Sequence, residues 1–275
     1  MAVDVSTHTV LVTGASSGIG RAFATALAGR GADLVLVARR ADRLEALAAE
    51  LRAGTGVAVT VVPFDLSAPG VGPGLRDAVA ARGAGVTAVI NNAGFGTFGM
   101  FGGEDQDRLD REIAVDVAAP VAIARAFLPQ VQAARGFLIN VASMAAYNPT
   151  PRMAVYGAAK AFVLSFTESL WAELRGTGVT VFALSPGATA TEFNDVVGTE
   201  DATSGARKRT AEDVVGTALR HLARRDPGPS VIDGRVNRLS SLAARFLPRR
   251  AMVSVVARIT DPGRRGSAPQ PVPAG

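Results

Sequence analysis

The sequence predicts an α/β fold, a single doubly wound, Rossmann-type domain of about seven parallel strands with helices on both faces. Three observations predict it. Short apolar runs alternate with amphipathic stretches along most of the chain, a glycine-rich turn follows the first run, and there is no internal repeat. Unbroken apolar strands need cover on both faces, which a parallel sheet wrapped by crossover helices provides. With 275 residues the chain is long enough to bury a substantial core in one such domain.

The elements follow in order. A strand over residues 7–13 (THTVLVT) runs into the glycine turn, and GIGRAFATALAGRG (18–31) forms the first helix. A strand at 33–38 leads to the helix RADRLEALAAELRAG (40–54), and a strand at 57–64 to the helix GLRDAVAARG (74–83). After a strand at 86–91 comes a long helix over about 104–134, then a strand at 136–142 and the helix that carries Tyr156. A strand at 179–185, the helix AEDVVGTALRHLARR (211–225) and a strand at 230–232 complete the pattern. Residues 192–208 mix turn-like and polar residues with apolar ones and are expected to form a mobile lid. Residues 237–260 read as an interrupted amphipathic helix, with Pro248 breaking or starting a piece of it. The domain is expected to span 1–261, with 235–261 as a variable C-terminal element. The Pro- and Gly-rich residues 262–275 are expected to be a loose tail.

Composition narrows the function classes. Hydrophobic residues at 48% and charged ones at 19% describe a soluble globular chain. No apolar run approaches the roughly 18 residues of a membrane span, and the N-terminus has an acid where a signal peptide carries basic residues. A cytoplasmic location is expected. Without cysteine there is no disulfide framework or thiolate metal site. His8 and His221 are far apart and read as surface residues, so no metal is expected. Residues 235–275 hold eight arginines and one acid, while the remainder is slightly acidic. Nucleic-acid binding is not expected, because aromatic residues make up only 5% of the chain. The basic C-terminal segment is read as packing on its own domain or on a partner subunit; association with an anionic membrane surface is the alternative.

The chemistry centres on Tyr156 and Lys160, one helical turn apart, with Ser143 thirteen residues upstream. Positions i and i+4 share a helix face, so phenol and ammonium can act on one small volume. The chain has only two lysines, Lys160 and Lys208, against 27 arginines. Arginine serves wherever a generic positive charge is enough, but it cannot replace a compact ammonium that must sit against a phenol. Lys160 is expected to lower the Tyr156 pKa from about 10 toward working pH.

A nucleotide site is read at the other end. Gly14, Ser16, Ser17, Gly18, Ile19 and Gly20 lie between the first strand and the first helix. Glycine lets backbone approach a pyrophosphate, and the helix N-terminus offers free N–H groups. Ala38 stands where a carboxylate would select NAD(H), and Arg39 and Arg40 follow, so NADP(H) is favoured over NAD(H). Arg39 is read as the phosphate ligand, and Arg40 also as a solvated residue opening the next helix. Asp65, followed by Leu66, can accept from an adenine amino group or cap a turn. Asn92, Ala93 and Gly94 let a cofactor lie against the strand ends, and asparagine there can also tie strands together.

Together, TGASSGIG, NNAG, Ser143, the YGAAK run and Ser185-Pro186-Gly187 resemble the short-chain dehydrogenase/reductase family, in its Tyr-x-x-x-Lys branch, over roughly residues 7–200. The resemblance implies that Tyr156 is the general acid in carbonyl reduction and the base in oxidation. Lys160 would hold the nicotinamide ribose and depress the Tyr156 pKa, while Ser143 would bind the substrate oxygen. Pro186 and Gly187 would pass behind the nicotinamide, and Thr189 and Thr191 would meet its carboxamide and diphosphate. One departure stands out: Asp116 occupies the place of an asparagine that helps hold a relay water. If its main-chain carbonyl serves, the change is nearly silent. If its carboxylate faces Lys160, it favours the ammonium and offsets the pull on the phenol.

The implied activity is reduction of a carbonyl on a hydrophobic small molecule. Oxidation of an alcohol and a cofactor-binding regulator with weak turnover are the alternatives. Phe95, Met144, Tyr147 and Phe193 are candidate substrate-pocket residues, with Phe98, Met100, Phe101 and Val196 nearby. Phe162, Phe166, Leu170 and Trp171 lie off the reacting face, and the resemblance implies a homodimer or homotetramer.

Overall fold

Every predicted strand forms. In this computed structural model, which describes residues 3–203, 205–244 and 246–264, the strands are β1 (Thr9–Thr13), β2 (Asp33–Ala38), β3 (Val59–Pro63), β4 (Ala88–Asn91), β5 (Phe137–Val141), β6 (Thr180–Ser185) and β7 (Ser230–Ile232). They make one seven-stranded parallel sheet in the order β3-β2-β1-β4-β5-β6-β7. Period-two alternation divides the core into two layers. Val10, Val12, Leu34 and Leu36 face α1 (Gly18–Ala28), α2 (Ala41–Thr55) and α8 (Ala211–Leu222). Leu11, Val35 and Val37 face α3 (Val71–Ala80) and α5 (Ala119–Ala133), with Phe166, Leu170 and Trp171 of α6 (Ala154–Glu173) packed against that layer. This is the doubly wound architecture that the alternating pattern predicts.

Two helices depart from their predicted form. α3 starts at Val71, three residues before the predicted 74, after Gly70 in the left-handed region at φ +71. A Cβ at Gly72 would run into the Ala122 carbonyl of α5. Its absence lets the two helices approach. The long helix is three pieces: α4 (Gln106–Ile113), a π turn (Ala114–Ala118) and α5. Asp105 caps α4 by accepting from the Arg108 amide at 2.8 Å. The widened turn lies directly before Pro120, which has no N–H to donate to the preceding turn.

Polar side chains clamp the carboxyl ends of the central strands. Asn91 donates from Nδ2 to Asn140 Oδ1 at 2.9 Å, and Asn140 donates to Thr167 Oγ1 on α6 at 2.8 Å. Thr13 Oγ1 accepts from the amides of Asn92 (2.9 Å) and Ala93 (3.0 Å), and Asn92 Nδ2 donates to the Thr13 carbonyl at 2.9 Å. Asn92 thus ties β4 to β1. Strand order reverses between these two strands, so their ends diverge into a crevice.

Both histidines are buried, not on the surface as expected. His8 sits edge-on to Phe137 and within 3.1 Å of Thr87 Oγ1, and His221 packs against Phe182 with Nε2 2.9 Å from the Gly228 carbonyl. Each is a core residue with one ring nitrogen partnered, while His221 Nδ1 has no hydrogen-bond partner. In the expected lid, α7 (Phe193–Val197) and a 3₁₀ turn at Glu200–Thr203 form. The C-terminal segment forms α9 (Arg235–Ala244) and α10 (Arg249–Ile259), with Pro248 starting the second helix. From residue 265 onward, the tail expected over 262–275 lies outside the described residues. Among the described residues, no helix is long and apolar enough to cross a membrane.

Candidate active site

At the carboxyl ends of β4 and β5, α6 presents Tyr156 and Lys160 one turn apart. Lys160 is buried, and its Nζ lies 2.8 Å from Asp116 Oδ2 and 3.4 Å from the Val141 carbonyl. The same Nζ is 5.6 Å from the centre of the Tyr156 ring. The π turn aims Asp116 inward, and its Oδ1 accepts from the Phe95 amide at 3.0 Å. The carboxylate of Asp116 therefore faces Lys160, the second of the two possibilities the sequence leaves open. Gly94 is required here, since a Cβ would stand 2.8 Å from Lys160 Nζ and 2.9 Å from Asp116 Oδ2. Ser143 opens the short turn Met144–Ala146, accepting from the Ala145 amide at 3.1 Å, and its hydroxyl acts on the Tyr156 phenol. Phe193 leans on the Tyr156 ring with centroids 5.3 Å apart.

The electrostatics reverse one expectation. Burial pushes the Tyr156 phenol up, and the carboxylates Asp116 and Glu112 add to the rise. Lys160 and Ser143 pull it down, but the net direction is above the ordinary value. Lys160 does act as expected. The pocket that buries the phenol and pairs the lysine with an acid outweighs it. Burial also disfavours the Lys160 ammonium, yet Asp116 and Tyr156 together hold its pKa above the ordinary lysine value. Burial raises the Asp116 carboxyl, opposed by Lys160 and the Phe95 amide.

Glu112 belongs to this cluster, and sequence reasoning missed it. It lies one turn before Asp116 on α4, is completely buried, and neither carboxyl oxygen has a hydrogen bond of normal geometry. Burial pushes its pKa up to about 7, with Thr97 drawing it down and Asp116 and Glu104 adding to the rise. The signal was available as an i, i+4 pair of acids in a helix that also had to bury Asp116.

The end read in sequence as a nucleotide site is built from several loops. Gly14 and Gly18 adopt left-handed φ of +67 and +53, and a Cβ at Gly20 would collide with the Gly14 carbonyl and Asn92. Ser17 precedes α1 without a side-chain cap, leaving its first amides open, while Ile19 packs against the core. The Thr191 methyl covers Gly18. Arg40 is not merely solvated: it crosses to Ser16 Oγ (3.0 Å), Ser17 Oγ (2.9 Å) and Glu192 (2.8 Å). Arg39 is the exposed one of the two. Asp65 caps its own turn through Ser67, and Leu66 is buried in the core. The Pro186 carbonyl accepts from the Met144 amide, Thr189 donates to the Gly187 carbonyl, and Gly187 lies against Asn237 of α9.

The candidate pocket residues separate. Phe193 and the Phe95 backbone belong to the Tyr156 cluster. Tyr147 instead packs on Ala142 and Val163, with its hydroxyl 3.3 Å from Ser185 Oγ. Met100 and Phe101 are largely exposed and line a cavity of about 370 Å³ together with Thr97, Arg152 and Ala257. Among the described residues, no three acids or histidines are grouped as a metal site.

The family model described as short chain dehydrogenase matches residues 8–202. A short chain dehydrogenase of Pseudocercospora fijiensis is 39% identical over 67% of this chain; the match spans only 60% of that longer protein. The sulfoacetaldehyde reductase of Chromohalobacter salexigens is 40% identical over 76% of this chain and 85% of its own length. Among solved structures, a short-chain dehydrogenase from Sphingobium yanoikuyae in complex with NADPH superposes with a TM-score of 0.76 at 35% identity, covering 90% of this chain and 95% of that one.

Glu112 makes stability depend on pH. Its native pKa of about 7 exceeds the ordinary 4.5, so between these values the native state holds a proton that the unfolded chain releases. Its contribution falls as pH rises through this window, reaching a loss on the order of 3 kcal/mol above pH 7. Denaturation of Glu112→Gln from pH 4 to 8 should show the variant gaining stability over the parent across this interval; parallel curves would contradict the assignment.

Proposed function

This chain belongs to the short-chain dehydrogenase family, and we propose that it is an NADP(H)-dependent reductase converting the carbonyl of a hydrophobic ketone or aldehyde into an alcohol. The observation that carries this reading is the convergence of Ser143, Tyr156 and Lys160, with the lysine buried beside the phenol. A dinucleotide suits the crevice. Gly14 and Gly18 take left-handed φ and Gly20 closes on the Gly14 carbonyl, which keeps the turn tight, and the open amides of α1 are donors for phosphate oxygens. The nicotinamide group supplies the hydride when bound.

The chain's own residues do the rest. Arg39 and Arg40, with Ser16 and Ser17, hold a 2′-phosphate, and Ala38 offers no charge to repel it. Asp65 and Leu66 lie at the adenine, Asn92, Ala93 and Gly94 beside the ribose, and Pro186, Gly187, Thr189 and Thr191 around the nicotinamide end. Tyr156, kept protonated by its raised pKa, donates its proton to the substrate oxygen as charge develops there. Ser143 hydrogen-bonds the same oxygen, and the Lys160 ammonium stabilises the phenolate left behind. Asp116 keeps that ammonium charged. Phe193 walls the substrate beside Tyr156, with Phe95 and Met144 from the loops after β4 and β5, and Tyr147, packed on Ala142 and Val163, backs that wall. The stacked pair Phe162 and Phe166 on α6 suits association with a second copy in a homodimer or homotetramer.

NADPH oxidation over a panel of ketones and aldehydes tests the reading directly. Tyr156→Phe should lower kcat by about 100-fold or more; the absence of any Tyr156-dependent turnover would favour a cofactor-binding regulator. Replacing both Arg39 and Arg40 by alanine should weaken NADPH binding by about tenfold or more while leaving NADH nearly unaffected, as read by fluorescence titration. In Asp116→Asn, loss of a carboxylate that raises the phenol pKa should move the Tyr156 limb of the pH–rate profile to lower pH. An unchanged profile would deny Asp116 that influence.

A further inference from the structure

α9 is amphipathic in the inverted sense, and α10 buries Met252 but leaves Val253, Val255 and Ile259 exposed. Ser241 is the buried residue of α9, flanked by half-buried Asn237 and Ala244, whereas Val236, Leu239 and Leu242 on the other side are 79%, 68% and 53% exposed. Phe246 and Leu247, in the connection, are 87% and 46% exposed. Eight of the thirteen exposed large hydrophobic side chains among the described residues fall within 236–259. Polar clamps impose this orientation. Asn237 Nδ2 donates to the Asp233 carbonyl at 2.7 Å, and Arg238 Nε donates to that of Ile232 at 3.0 Å. At the far end, Arg152 pairs with Asp261 at 3.1 Å. An apolar helix side held outward by polar bonds on the inner side marks an interaction surface.

Its charge identifies the partner. Arg235, Arg238, Arg249, Arg250 and Arg258 are exposed on the same two helices, and no acid occurs from 234 to 260. A second copy would bring two sets of arginines face to face across a twofold axis, opposing the gain from apolar burial. A surface of anionic headgroups over acyl chains complements both features at once. We propose that α9, α10 and their connection dock this protein on an anionic lipid surface, with Leu239 and Phe246 entering the acyl boundary and Arg249 and Arg250 meeting the headgroups.

Co-sedimentation of the full chain with vesicles tests this. Vesicles of phosphatidylcholine with phosphatidylglycerol should bind the protein at low salt and release it at high salt, and phosphatidylcholine alone should not bind it. Leu239→Glu with Phe246→Glu, and separately Arg249→Glu with Arg250→Glu, should each weaken binding by about tenfold or more with thermal melting unchanged. Failure to bind anionic vesicles at low salt would overturn the proposal, as would equal binding to neutral ones. So would a dimer that the Leu239 and Phe246 changes dissociate in the absence of any vesicle binding, since the face would then belong to a second copy.

Discussion

Lys160 and Asp116 are opposite charges buried 2.8 Å apart, and the surrounding architecture is organised to keep them so. Either charge alone in this setting would be unfavourable by several kcal/mol, and a pair is tolerated only when its geometry is good and its remaining hydrogen bonds are met. Four segments meet that condition. α6 supplies the lysine, the π turn the aspartate, the loop after β4 the Phe95 amide, and the end of β5 the Val141 carbonyl. Gly94 leaves room for the pair, since a Cβ there would crowd Lys160 Nζ at 2.8 Å and Asp116 Oδ2 at 2.9 Å. The Tyr156 phenol is pushed up mainly by its own burial, and the Asp116 carboxylate adds to that rise against the pull of Lys160.

The sheet was legible because its cause is local. A parallel strand covered on both faces must be apolar throughout, and a glycine or polar turn must end it, so composition along the chain marks each strand within a residue or two. The Tyr156–Lys160 relation was legible for the same reason, since helical spacing alone puts both residues on one face. The break at Pro248 needed only the missing N–H of proline.

What could not be read depends on contacts between distant segments. The early start of α3 is one case, because the role of Gly72, admitting the Ala122 carbonyl of α5, involves a partner fifty residues away. The π turn before Pro120 changes which residues of the long helix point inward, and with it the burial of Asp116 and Glu112. The direction of the phenol's pKa was beyond sequence because two buried acids and desolvation had to be weighed against one lysine. His8 and His221 were misjudged on polarity alone; each had a ring to pack against and a polar partner within reach. Arg40 was half read: it does precede α2, but its guanidinium reaches across to an acid 152 positions later.

That acid has a neighbour worth following. Glu192 holds Arg40 at 2.8 Å and Arg43 at 2.6 Å, and the very next residue, Phe193, rests on the phenol ring. Adjacent Cα atoms are about 3.8 Å apart, so one short stretch of backbone sets both the carboxylate that holds two arginines beside the glycine turn and the ring that rests on Tyr156. Two ends of the crevice share a single anchor at the start of α7.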